Sequence, residues 1–316
     1  MSQIAHKITR DQIDANGKYI GSIDVSNFDG DLEISDGLGC VFFLRLSVTG
    51  WIVVKAGSGI KAGGGIKAGS GIKAGEGIEA GEGIEAGWGI EAGWGIKAGE
   101  GIKAGSGIKA GEGIEAGEGI KAGSGIKAGE GIKAGSGIKA GWGIKAGSGI
   151  KAGLGIEAGS GIKAGEGIKA GWGIKAGSGI KAGLGIEAGS GIEAGWGIKA
   201  GEGIKAGWGI KAGSGIEAGE GIEAGWGIKA GLSITCKRRL SVALRVFAGL
   251  CLWKLPSREE MEIRCGKLES GTISFGTLVE AGLPEDVDAG VSQSIEVIPH
   301  EDLNQLMWSS VVTLEG

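Results

Sequence analysis

One six-residue phrase, Ile-(Lys/Glu)-Ala-Gly-x-Gly, recurs without insertion or deletion over more than half of the 316-residue chain. Read from Val54, which stands in for the first Ile, thirty copies run to Ser233 and close on a slightly altered last one, IKAGLS. A strict short period restricts the fold more than any composition does, because every copy must find the same environment or one of a few equivalent ones. Three regular structures fail on that period. A collagen helix needs Gly at every third residue, whereas successive Gly here are alternately two and four apart. An α-helix needs an apolar stripe near 3.6 residues, and a period of six walks Ile around the cylinder. Two Gly per copy would also cost a helix roughly 2 kcal/mol per repeat relative to Ala. A coiled coil needs heptads.

Alternation satisfies the pattern. In an extended segment successive side chains point to opposite faces, so Ile and Ala share one face and Lys or Glu takes the other. Each triplet is then a short strand with an apolar inside and a charged outside. Gly-x-Gly follows as a corner, where Gly is expected to supply an unusual φ. The fifth place holds ten Ser, nine Glu, seven Trp, three Leu and one Gly. A close-packed interior accepts no such mixture, so this residue points outward at the corner. The fold class is therefore all-β, a single-stranded β-solenoid (β-helix) with irregular β caps and two or three hexads per coil. Three hexads per coil place no second-place Glu directly above another, and two place Glu79 over Glu91.

The chain outside the array is read in three pieces. Residues 1–53 supply N-terminal strands that cap residues 54–233, the repeat. Residues 234–283 keep period-two alternation without the Gly corners and form a C-terminal β continuation. Residues 284–316 are an acidic tail without Lys or Arg, in which EDLNQLMW sets Leu303, Leu306 and Met307, followed by Trp308, in the pattern of a short amphipathic helix.

At the hexad the chain resembles the hexapeptide-repeat β-helix proteins and, more loosely, bactofilin-type polymerising β-solenoids, in periodicity over about residues 20–280. Those hexapeptides carry a small residue at the fifth place, where this chain has Trp or Glu in sixteen of thirty copies. The resemblance implies stacked coils and, on the bactofilin side, self-assembly. Acyltransferases of this shape rely on a catalytic His on a coil, and carbonic anhydrases of this shape on three His ligands. Here the two histidines, His6 and His300, both lie outside the array. No enzyme activity, cofactor or metal site is expected. Gly57-Ser58-Gly59-Ile60-Lys61-Ala62 matches a dinucleotide fingerprint only as a by-product of the repeat. Cys236, Cys251 and Cys265 have no Cys-x-x-Cys pair and read as stacked, buried thiols.

The strongest functional signal is the row of corner tryptophans: Trp88, Trp94, Trp142, Trp172, Trp196, Trp208 and Trp226. Exposed Trp marks contact surfaces and interface hot spots. The competing reading is that each ring lies flat over its Gly corner and shields a thin core. Charge adds little, because 21 second-place Lys stand against nine second-place and nine fifth-place Glu, and the whole chain carries −4. That balance disfavours both a nucleic-acid partner and an acidic DNA mimic, although Lys clusters at 121–151 and 163–181 make local patches. No apolar run of membrane-spanning length occurs and the start lacks a signal-peptide core, so a cytoplasmic protein is expected. The expected function is a non-catalytic scaffold, spacer or self-assembling structural protein presenting a repetitive Trp/Lys/Glu surface. The alternative is a binding or inhibitor protein of bacterial or phage origin, engaging a protein or glycan through the corner Trp residues and the acidic tail.

Overall fold

In the computed structural model, which describes residues 5–283, each Ile-(Lys/Glu)-Ala triplet is a three-residue strand. It pairs in parallel with the triplet 18 residues further on, as in Ile84↔Ile102, Glu85↔Lys103 and Ala86↔Ala104. Three hexads therefore make one coil, and the chain is a β-solenoid whose coils have three sides. Residues Met1–Ala194 and Gly195–Gly316 form two compact units.

In the first unit, the first side is built from Ile52–Val54, Ile72–Ala74, Ile90–Ala92 and so on to Ile180–Ala182. The second runs from Ser58–Ala62 through Ile78–Ala80 to Ile186–Ala188. The third runs from Leu46–Val48 through Ile66–Ala68 to Ile192–Ala194. Between array triplets Ile stacks on Ile and Ala on Ala, as in Ile72↔Ile90 and Ala74↔Ala92. From Ile60 onward every array Ile is at most 2% exposed and every array Ala at most 3%. A branched side chain fills the tube where Ile lies, and a small one suffices where Ala lies.

The corners continue the hydrogen-bond ladder. The Gly87 amide donates to the Ala68 carbonyl (3.1 Å), the Trp88 amide to Ser70 (3.0 Å) and the Ile90 amide to Gly107 (3.0 Å), each one coil away. The backbone of a corner therefore stays paired although no regular strand runs through it.

Three sequence expectations are corrected here. The array glycines do not supply an unusual φ: every positive-φ Gly lies at Gly57 or earlier, or at Gly249 or later. What the corner needs is the missing Cβ. At the fourth place of the hexad a Cβ would fall 2.0 Å from the Gly69 carbonyl oxygen at Gly87 and 1.7 Å from that of Gly129 at Gly147. At the sixth place the same atom would stand 3.3 Å from the next coil at Gly89 and at Gly149. The two glycines of one corner thus have unequal reasons to be glycine.

Val54 does not stand in for the first Ile. It pairs with Ala74, and Ile52 takes the Ile place against Ile72. From Ile52 to Ile72 that coil is two residues longer than the array coils that follow, such as Ile72 to Ile90, and the extra length is absorbed at Lys55–Gly59, where Gly57 adopts φ +67°. The third correction follows at Ser58, the single fifth-place residue that turns inward. It is fully buried, and its hydroxyl donates to the Ser35 carbonyl (2.8 Å) and accepts from the Leu38 amide (2.9 Å).

In the second unit, Ile198–Ala200, Ile216–Ala218 and Ile234–Cys236 form one side. Arg239–Phe247 then replaces two strands and a corner. Its first half pairs with Ile222–Ala224 and its second with Ile228–Ala230, with no glycine between. Lys267–Phe275 follows it with register shifts, and Glu262–Cys265 pairs with Thr277–Glu280. Cys236 occupies an Ala place, and both it and Cys265 are buried, but Cys251 is only half-buried and lies outside the strands. Burial pushes the Cys236 thiol up to about 11. Burial, with Cys236 and Glu280 nearby, pushes Cys265 up to about 12. Both are inert thiols at neutral pH.

Candidate functional site: corners and outward columns

Three hexads per coil sort the fifth-place residues into three vertical columns. In the first unit, the corner leading onto the first side carries Ser70, Trp88, Ser106, Ser124, Trp142, Ser160 and Ser178. The corner from the first side to the second carries Glu76, Trp94, Glu112, Glu130, Ser148, Glu166 and Leu184. The corner from the second to the third carries Gly64, Glu82, Glu100, Glu118, Ser136, Leu154, Trp172 and Ser190. The candidate tryptophans Trp88, Trp94, Trp142 and Trp172 are therefore spread over all three corners, with no two stacked on successive coils of one column. In the second unit Trp196 stands alone, whereas Trp208 and Trp226 stack face to face, centroids 5.4 Å apart and planes 9° apart, with Leu244 next in the same column. Leu303, Leu306, Met307 and Trp308 lie outside the described residues.

Exposure differs between the isolated and the stacked rings. The five isolated ones are 55–70% exposed, and the stacked pair 45% and 46%. The isolated rings keep the larger exposed surface, and Trp208 and Trp226 cover part of each other.

Along the corner from the first side to the second runs an open groove of about 530 Å³. Its floor is the strip Gly77, Gly95, Gly113 and Gly131. One wall is Glu76, Trp94 and Glu130, and the other is Glu79, Lys97, Glu115 and Lys133. The groove follows from the sixth-place glycines, which leave the floor without side chains between two rows that have them. Trp94 is its single aromatic surface among carboxylates and ammonium groups, a chemistry suited to a polar chain laid lengthwise.

The second-place charges form three further columns. On the second and third sides, Glu lies next to Lys. Lys133 reaches Glu115 (2.9 Å), Lys169 Glu187 (2.8 Å), Lys103 Glu85 (3.1 Å) and Lys139 Glu157 (2.9 Å). On the first side one pair forms, Lys109–Glu91 at 2.8 Å, and then Lys127, Lys145, Lys163 and Lys181 follow on successive coils. Among the described residues these four make no ion pair. Pairing with Lys109 holds the Glu91 carboxyl below the usual range, and Lys133 does the same for Glu115.

The sequence reading missed the groove and this Lys column. The signal was present, since every third hexad from Lys109 to Lys181 carries Lys, but it becomes visible only once the coil is fixed at three hexads. Comparison with protein-family models, with curated proteins and with solved structures found no match.

Proposed function

We infer that the protein is a non-catalytic β-solenoid scaffold or spacer, of the self-assembling kind to which bactofilin-type solenoids belong, presenting a repetitive Trp/Lys/Glu surface to a protein partner or to its own copies. The observation that supports this reading is the in-register stack. Every outward position recurs at one coil spacing of about 4.8 Å, so whatever binds meets its contacts on a fixed ruler. Interior residues are spent wholly on the tube and outward ones on a periodic display. Circular dichroism and multi-angle scattering on one chromatographic peak test it, for the chain and for a variant lacking residues 123–140, one whole coil. The expected result is a β spectrum in both, with cooperative unfolding kept. Loss of the β signal on removing one coil would overturn the modular scaffold.

A second reading, a binding or inhibitor protein of bacterial or phage origin, draws its support from the isolated rings, which stand 55–70% exposed. A glycan laid in the groove against Trp94 is one form of it. Titration of the wild type and Trp94→Ala with soluble oligosaccharides, read by Trp fluorescence, checks that form. Equal responses from both would remove Trp94 from it.

A further inference from the structure

The charges that find no partner within one copy are arranged for another. Every fifth-place Glu of the first unit sits at a corner, and of these Glu82 alone makes an ion pair with a described residue, reaching Arg45 at 3.0 Å. Glu82, Glu100 and Glu118 follow on successive coils, Glu100 donating its amide to Glu82 (3.3 Å) and Glu118 to Glu100 (3.2 Å). They form an anionic ladder at the corner between the second and third sides. The cationic ladder of Lys109, Lys127, Lys145, Lys163 and Lys181 occupies the first side. In a three-sided coil that corner is the one the first side does not touch, so the two ladders lie on opposite flanks of the same unit.

Like charges directly opposite across parallel strands destabilise a sheet. On the second and third sides the longest Lys runs, Lys133–Lys151–Lys169 and Lys103–Lys121–Lys139, are closed at both ends by Glu. On the first side the run from Lys109 to Lys181 meets no further Glu within the first unit. The first unit thus keeps a cationic side and two short anionic edges without ion pairs among the described residues, Glu112–Glu130 on a corner that adjoins that side and Glu100–Glu118 on the corner away from it. Their rungs share a single pitch, because the same β ladder sets them all, at about 4.8 Å. No unrelated polyanion has its charges on that pitch by construction, and a second copy of this chain does.

We propose that copies of the chain associate laterally, edge to side, with the Glu100–Glu118 edge of one laid on the Lys127–Lys181 ladder of the next, displaced along the axis by whole coils. The proposal rests on the self-assembling form of the scaffold reading and names its surface. The contact is heterologous, so each added copy leaves one ladder of each sign unused, and growth does not stop at a dimer. Both ladders are exposed, so each pair is weak alone and the row is strongly screened by salt.

Sedimentation velocity on the full chain tests this at ionic strengths of about 0.01 M and about 1 M, where the screening length falls from about 30 Å to about 3 Å. The expected result is a mass that rises with concentration beyond the dimer at low salt and returns to the monomer at high salt. Lys127→Glu/Lys145→Glu/Lys163→Glu and, separately, Glu100→Lys/Glu118→Lys should each lose the low-salt rise while keeping the β spectrum. An equimolar mixture of the two variants should regain it, because each then supplies the ladder the other lacks. A wild type that stays monomeric at low salt overturns the proposal, and retention of single-stranded DNA by that monomer would give the Lys side to a polyanion instead. Low-salt association that persists in both variants also overturns it, while leaving the scaffold reading in place, since that reading stands or falls on the coil-deletion experiment.

Discussion

Glycine does different work in the array and in the coil that starts it. At Lys55–Gly59 the chain must absorb two surplus residues, and Gly57 does so by adopting a left-handed φ that a side chain would resist. A few coils on, at Gly147, the backbone torsions are ordinary, and a Cβ is excluded because the carbonyl of Gly129 already occupies its place. The first glycine buys conformation, whereas the second makes room. The irregular coil tolerates a local solution, but the array must use one that repeats, and close stacking of corner on corner is such a solution.

Substitutions can break this comparison in graded steps. Gly147→Ala should be the most damaging, at about 3 kcal/mol or more, because overlap with a backbone carbonyl can be relieved only by parting two coils. Urea unfolding of the variant measures it, and an effect below about 1 kcal/mol would show that the corner yields. Gly57→Ala should cost about 1–2 kcal/mol, the usual penalty for a side chain in the left-handed region, with nothing nearer than 3.4 Å to add a clash. Gly149→Ala, across the same corner as Gly147, meets its nearest backbone oxygen at 3.3 Å. A loss under about 1 kcal/mol is expected, within the range of ordinary surface changes plus a slight shift. If the two corner variants proved equal, the distinction between fourth-place and sixth-place glycine would fall.

The smallest effect concerns the paired charges. Hydrogen bonding to Lys109 and Lys133 depresses the Glu91 and Glu115 carboxyls in the folded state, so each stabilises the fold above the unfolded value near 4.5 and loses that contribution as pH falls through the lower folded value. Both pairs are half-exposed, so about 0.2–1 kcal/mol per pair is the ceiling. Midpoints measured from pH 7 down to pH 3 should fall slightly more for the wild type than for Glu91→Gln/Glu115→Gln. Parallel curves would assign the pairs no part in stability.

Much of the fold was legible in residues 60–230. Alternation within the triplet gave the inward Ile and Ala, and the mixed fifth place gave the outward corner. The number of hexads per coil was not legible, because the hexads are too alike for the core to prefer one closure. The discriminating residues were the few that differ, such as Glu79 and Glu91, and three per coil does keep each second-place Glu next to Lys. The role of Gly57 and Ser58 was hidden because VKAGSG imitates the repeat by composition while sitting two residues out of structural phase. The site was less legible than the fold. Seven corner tryptophans were legible in the sequence but their columns were not, and closure at three hexads disperses them, with Trp208 and Trp226 stacked together.

The buried Ser58 has a consequence for how the chain finds its native state. Any hexad of the array offers the next coil the same Ile, Ala and Gly, so pairing displaced by six residues would bury the same atoms and satisfy the same amides. The interior energies of such misaligned states are nearly degenerate, and a landscape of that kind lacks the gap that gives a unique product. Degeneracy is broken where the sequence stops being periodic. Ser58 accepts a hydrogen bond from one amide, at Leu38, and donates to one carbonyl, at Ser35, and the two-residue surplus beside it fits one alignment only. That coil is the natural nucleus, from which the tube would be copied forward one turn at a time, each finished coil acting as the template for the next.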